Sequence, residues 1–305
     1  MLKNVIKSRL FTNVNMTEDT RNDVPLWYRA IYPGGANQGF YHRTETHSVV
    51  YIDRQSPQLV ISFDNLAEAG GTHFNRDPWA VKFVQDNGWS HLGIMADGPT
   101  WFREAQLITY LEKLAADGFF DKFDRIATCG TSMGGFGAMT FANLVKATHV
   151  IAFSPQSSLD GQITPWENRF GKGRAQDWSL PYSDAVGSTD EAENVYVIYD
   201  HFDTGDKAHA ERFTGSNVTH LRTMGIGHRS ALILRRMNQL KPIMHSAISG
   251  TLDPADYHKR LRDRRSLYLT RTIIEHYLTQ HGRAHLVQPY GQAFKKRRKI
   301  LARNT

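Results

Sequence analysis

From residue 47 onward, short apolar runs alternate with stretches in which apolar residues recur every three or four positions. His47-Ser-Val-Val-Tyr-Ile-Asp53 and Gln58-Leu-Val-Ile-Ser-Phe63 read as neighbouring strands parted by the turn-prone Gln55-Ser-Pro57. Asp77-Pro78 opens a helix, with Asp as N-cap and Pro at the first helical position. Residues 90–96 form the next strand, and 101–116, apolar at 102, 105, 107, 108, 111 and 115, suit an amphipathic helix. Residues 126–129, 149–153, 195–199 and 218–224 supply further strands, with helical stretches near 206–214 and 229–245. Such alternation predicts an α/β fold with a mainly parallel sheet covered by helices on both faces.

Three divisions follow. Residues 1–24 are polar and without period, a loosely held lead-in to an α/β domain over 25–250. Within that domain the pattern breaks over 155–187, a Gly- and Pro-containing segment carrying Trp166, Phe170, Trp178 and Tyr182. A structureless stretch of that length is read as a lid-like insertion, with an aromatic-rich surface excursion packed on the core as the alternative. Residues 251–305 form a helical extension: Asp253-Pro254 restarts a helix that runs to about Gln280.

The chain of 305 residues, 40% hydrophobic, suffices for one substantial core. Its net charge of +7 is uneven. Residues 253–305 carry 13 Lys and Arg against 4 Asp and Glu, leaving 24 against 26 for residues 1–252. The basic character therefore belongs to the extension, ending in Lys295, Lys296, Arg297, Arg298 and Lys299, and the α/β domain has no general reason to bind polyanions. That cluster is read either as a contact for an anionic partner or as a solvated tail; no aromatic-basic interleaving of a nucleic-acid platform accompanies it. No apolar run approaches a membrane span and no signal peptide opens the chain, so a cytoplasmic protein is expected. The lone Cys129, in a strand, is expected to be an inert core residue.

The chemistry is concentrated in Gly130-Thr-Ser132-Met-Gly134-Gly135, which has the form G-x-S-x-G and sits between a strand and the helix-like 136–145. A serine at such a turn is lifted clear of the sheet, and free N–H groups of the following helix face a developing negative charge. A serine hydroxyl needs a base, and imidazole is matched to that task. Of 14 histidines, His228 is best placed, in the loop Met224-Gly-Ile-Gly227-His228 after the last strand; His220 lies within the strand itself. The histidine needs a carboxylate to fix its tautomer. Asp200-His-Phe-Asp203-Thr-Gly-Asp206 follows the 195–199 strand, and Asp203 is favoured because it lies far enough past the strand to turn toward the histidine. Asp200, which could instead brace the loop, Asp206, which could instead cap the following helix, and Asp160 after the preceding strand remain alternatives for that carboxylate. For the oxyanion hole, one donor is expected from the N–H of Met133 and the other from Asn65 or Leu66, after the 58–63 strand.

On these residues the chain resembles the α/β-hydrolase superfamily over about 47–245. The order Ser132, Asp203, His228 follows that superfamily's order, and the doubled glycine with Phe153-Ser-Pro-Gln is similar to esterase-like bacterial members, some encoded with surface-polysaccharide synthesis. The resemblance implies a serine hydrolase cleaving a carboxylic ester or thioester through an acyl-enzyme, without a cofactor or metal. Acyl transfer or deacetylation on a saccharide is a close variant, and a non-catalytic binding protein on the same scaffold is the competing class. Two departures stand out: the superfamily's frequent His-Gly pair at the first oxyanion loop is replaced by Asp64-Asn65, and the N-terminal portion and basic extension have no counterpart in the minimal fold. Trp101, Trp166, Phe170 and Trp178 are the candidate pocket walls. Gly134-Gly135-x-Gly137 matches neither dinucleotide nor phosphate loop, and Asp200, His201, Asp203, Asp206 and His209 lack a metal-site spacing.

Overall fold

The computed structural model describes residues 24–32, 34–67, 69 and 76–303, so the lead-in lies almost wholly outside the described residues. Among the described residues eight strands, β1 (Gln38–Arg43), β2 (His47–Asp53), β3 (Gln58–Phe63), β4 (Ser90–Ala96), β5 (Arg125–Thr131), β6 (His149–Phe153), β7 (Asn194–Asp200) and β8 (Val218–Thr223), form one sheet. Their order is β1-β2-β4-β3-β5-β6-β7-β8. β1 and β2 run antiparallel to their neighbours; from β4 onward every pairing is parallel. This is the open, mostly parallel sheet of an α/β-hydrolase-like fold.

The helices are α1 (Leu26–Ile31), α2 (Val81–Asp86), α3 (Ala105–Ala116), α4 (Met133–Thr140), α5 (Gly171–Arg174), α6 (Thr204–Ala210), α7 (Ser230–Arg236), α8 (Leu240–Ile248), α9 (Pro254–Arg260), α10 (Tyr268–Gln280) and α11 (Val287–Leu301). Strand periodicity of two distributes the core between two faces. Leu59, Ile61, Phe63, Val150, Val195 and Val197 face α3 and α4; Val60, Ala127, Ile151, Tyr196 and Ile198 face α7 and α8. Both faces are buried, which is why the central strands read as unbroken apolar runs. Each Val, Leu, Ile or Phe among them contributes roughly 1.5–3 kcal/mol by its burial. Cys129 belongs to the second face, and burial pushes its thiol upward.

Several element boundaries differ from the pattern. β1 was not foreseen: Gln-Gly-Phe-Tyr-His-Arg alternates weakly, as suits a half-exposed edge. Asp77 does not cap a helix; its carboxylate accepts the backbone N–H of Trp27, and α2 starts only at Val81. The stretch from Trp101 becomes helical only at Ala105, because Trp101 and Phe102 both take positive φ, 47° and 56°. The 229–245 helix is broken at Asn238, with φ 56°, and the extension's first helix divides into α9, a 3₁₀ turn and α10.

The extension packs on the strands' C-terminal edge. Tyr277 of α10 stacks on Phe202 with centroids 3.8 Å apart, and Arg264 Nε donates to the carbonyl of Met224 at 2.8 Å. Part of the basic cluster is engaged within it: Arg297 pairs with Asp263, and Arg298 lies over the rings of Tyr268 and Phe294. Lys295, Lys296 and Lys299 are exposed. No helix among the described residues is long and apolar enough to cross a membrane.

Candidate active site

Ser132 sits between β5 and α4 with φ 53° and ψ −116°, a left-handed conformation that costs a non-glycine residue on the order of 1–3 kcal/mol. The surrounding sequence makes it the only way through. A Cβ at Gly130 would strike the carbonyl of Gly134, and one at Gly134 would strike the carbonyl of Phe63, so β5, α4 and β3 approach as closely as backbones can. The serine amide is anchored by the carbonyl of Phe153 at 2.8 Å. All eight residues of α4 are buried, fixing the turn from behind.

The loop after β8 delivers His228. Its Nε2 lies 2.8 Å from Ser132 Oγ, and its Nδ1 lies 2.8 and 2.9 Å from the two carboxylate oxygens of Asp206. With a carboxylate at Nδ1, that nitrogen carries the proton and Nε2 is left to accept from the serine. Asp206 has no exposed side-chain surface. Burial by itself would raise its carboxyl, but the hydrogen bond and charge of His228, together with Arg169, outweigh it and hold the group below the usual carboxylate range.

The acid facing the histidine is therefore Asp206, and the expectation of Asp203 is corrected. α6 begins at Thr204, so Asp203 is its N-cap: it accepts the Asp206 N–H at 2.9 Å and an N–H of Arg169 at 2.9 Å. An N-cap side chain is occupied by its own helix, whereas a residue three positions on projects sideways from the first turn. Asp is a preferred N-cap residue, and its place directly before the helical stretch was the local signal that Asp203 caps it. Asp200 braces the loops instead, accepting the N–H groups of Phe202, Gly225 and Gly227 at 2.5–3.1 Å. Asp160 turns back on its own segment, accepting the amide of Gln162 at 2.8 Å. His220 bonds the carbonyl of Phe213, away from the serine.

Behind Asp206 stands a polar network supplied by the 154–193 connection. Arg169 bonds Asp206 and Asp203 through Nη1, both at 2.9 Å, and Glu167 through Nε and Nη2. Glu167 also meets His209 Nε2 at 3.1 Å. The backbone N–H of Ser157 donates to His209 Nδ1 at 3.1 Å, so the proton of this neutral ring is on Nε2, directed at Glu167. Burial keeps His209 below the ordinary imidazole value. Among the described residues, no group of three or more His, Cys, Asp and Glu side chains is arranged to hold a metal ion.

Met133 is the first residue of α4, where an N–H has no helical partner, directly after the serine. Asn65 and Leu66 both line the cavity that contains Ser132. Asp64 turns inward to Arg76 and the N–H of Ala96. Gln156 was not foreseen. It is fully buried, with Nε2 3.5 Å from Ser132 Oγ and Oε1 accepting the indole N–H of Trp101 at 3.0 Å. It ends the Phe153-Ser-Pro-Gln156 run, but no local signal says which way the amide points.

The cavity holds about 540 Å³ and is lined by Ser132, His228, Asn65, Leu66, Trp79 and Phe170, among others. Of the four aromatics expected there, only Phe170 lines it. Trp101 is a core residue, 1% exposed; Trp178 is buried against Phe136, with its N–H on the carbonyl of Gly173. Trp166 is exposed beside His209 and lines a separate cavity next to α10. Long-range packing, invisible to local pattern, decides which aromatic faces the serine.

No family model matches the sequence, and no curated protein matches it either. Solved structures of similar fold include an arylesterase (16% identity, 74% of this chain and 88% of that one, TM-score 0.48). They also include a capsule O-acetyltransferase of Neisseria meningitidis serogroup A (14%, 67% and 93%, 0.46) and an esterase of Pyrococcus furiosus (19%, 74% and 92%, 0.42).

Proposed function

We propose that the protein is a serine hydrolase that cleaves a carboxylic ester or thioester through an acyl-enzyme on Ser132. The observation that carries this reading is the continuous chain from Asp206 through His228 to Ser132, every link at 2.8–2.9 Å. Ser132 Oγ attacks the substrate carbonyl carbon while His228 Nε2 takes the hydroxyl proton, and Asp206 stabilises the resulting imidazolium. The carbonyl π pair moves to oxygen, where the Met133 N–H, a donor from the Asn65–Leu66 turn and the Gln156 amide stabilise it. On collapse the C–O or C–S bond breaks and the leaving group receives the proton from His228. Water, activated by the same imidazole, then releases the acid and restores Ser132; an alcohol in place of water makes the same cycle an acyl transfer.

A binding protein on this scaffold has no use for a strained serine, a tautomer-fixed imidazole and a buried acid held together. Labelling with a fluorophosphonate probe tests the reading. Attachment at Ser132, abolished in Ser132→Ala and strongly reduced in His228→Ala, is the expected result. A folded protein that neither labels nor turns over aryl or thio esters refutes it.

A further inference from the structure

We propose that the substrate of this site is an anion, its carboxylate or phosphate group received by Arg229 and Arg235 on the wall of the Ser132 cavity. This rests on the reading of Ser132 as the nucleophile and names the class of ester that it takes. Arg229 directly follows the base, and Arg235 lies six residues along α7, a rise of about 9 Å, yet both line the same cavity as Ser132 and His228. Among the described residues no carboxylate lines that cavity, whose other walls include Leu66, Ala67, Trp79, Phe170, Leu232 and Leu240.

The two guanidiniums differ from other arginines near the site. Arg103 donates to the carbonyls of Asp177, Leu180, Pro181 and Tyr182; Arg76 pairs with Asp64, Arg169 with Glu167 and Asp206, and Arg212 with Asp184. Arg229 and Arg235 are exposed and have no side-chain hydrogen bond or ion pair to any described residue. A guanidinium presents a planar fork of donors that fits carboxylate and phosphate oxygens. Two of them on a largely apolar cleft with no counter-charge among the described residues concentrate positive potential where an ester enters, which raises anion capture and penalises cationic ligands. An ester anchored there through a remote charge has its carbonyl held over Ser132 by binding energy spent away from the reacting bond.

Calorimetric titration of the Ser132→Ala protein at low salt with para-acetoxybenzoate, para-acetoxyphenyl phosphate and the uncharged methyl para-acetoxybenzoate tests this directly, since binding is read without turnover. At least one anion is expected to bind about tenfold or more tighter than the methyl ester, and comparison of the two says which anion the site prefers. The advantage is expected to collapse when Arg229→Gln and Arg235→Gln are combined, and to persist in Arg236→Gln, whose side chain does not line the cavity, with thermal melts establishing that each variant is folded. Equal binding of the methyl ester, no binding of either anion, or a preference that survives the double replacement overturns the proposal. Fluorophosphonate labelling of the unmodified protein separates the two failures. A labelled Ser132 without anion preference removes only this inference, whereas a folded protein that neither labels nor turns over aryl or thio esters removes the hydrolase reading whatever the ligands do.

Discussion

The indole Nε1–H of Trp101 donates to Gln156 Oε1 at 3.0 Å, and the other end of the same amide lies 3.5 Å from Ser132 Oγ. An indole is only a donor, so it settles which end of the amide is oxygen and turns the NH₂ toward the serine. Trp101 holds this position from a left-handed backbone with φ 47°. Replacement of Gln156 by Ala is expected to lower kcat on an activated ester by about 10²- to 10³-fold with KM little changed, as for loss of one oxyanion donor. Unchanged kcat would show the amide to be structural.

Asp206 and Asp203 are three residues apart and have opposite tasks. Asp206→Asn leaves the side chain's shape but removes the charge that supports the imidazolium, so kcat is expected to fall about 10³- to 10⁴-fold. Asp203→Ala loses a cap worth about 1 kcal/mol of stability and should keep kcat within about tenfold. Steady-state kinetics and urea unfolding on both variants distinguish the roles, and the reverse ranking would return the acid to Asp203.

Glu167 predicts a pH signature in stability rather than in rate. Burial would raise its carboxyl, but hydrogen bonds from His209 and Arg169 prevail and hold it at about 2. An unfolded glutamate titrates at about 4.3, so the stabilisation is complete above that value and is lost as pH falls toward about 2. The Glu167→Gln protein should therefore unfold at lower urea than the unmodified protein at neutral pH, with the gap narrowing below about pH 4.3. A gap independent of pH would assign the effect to packing alone.

Gly134 and Gly171 make a matched pair of substitutions. A methyl group at Gly134 meets the carbonyls of Phe63 and Asp64, and one at Gly171 meets nothing. Gly134→Ala is expected to cost about 1–3 kcal/mol or more and to reduce labelling of Ser132, because β3 and the elbow must separate. Gly171→Ala should stay within about 0.5 kcal/mol of the original. Equal unfolding midpoints would mean that the elbow is looser than its geometry implies.

The alternation of apolar runs and amphipathic stretches determined the α/β class, seven of the eight strands and the strand-turn-helix setting of Ser132, because periodicity and glycine spacing are local properties of the chain. His228 was also legible as a residue in a glycine loop after the last strand, although its 2.8 Å approach to Ser132 spans 96 positions. The tertiary structure alone decided that Asp206 rather than Asp203 faces that histidine, since the choice depends on the residue at which α6 begins and on Arg169 arriving from another segment. It likewise decided that Phe170 lines the cavity while Trp101 and Trp178 pack inside, and that Gln156 points at the serine. A sequence fixes which side chains can do chemistry and roughly where the backbone turns; which of them converge is set by how whole elements pack, and no local pattern carries that information.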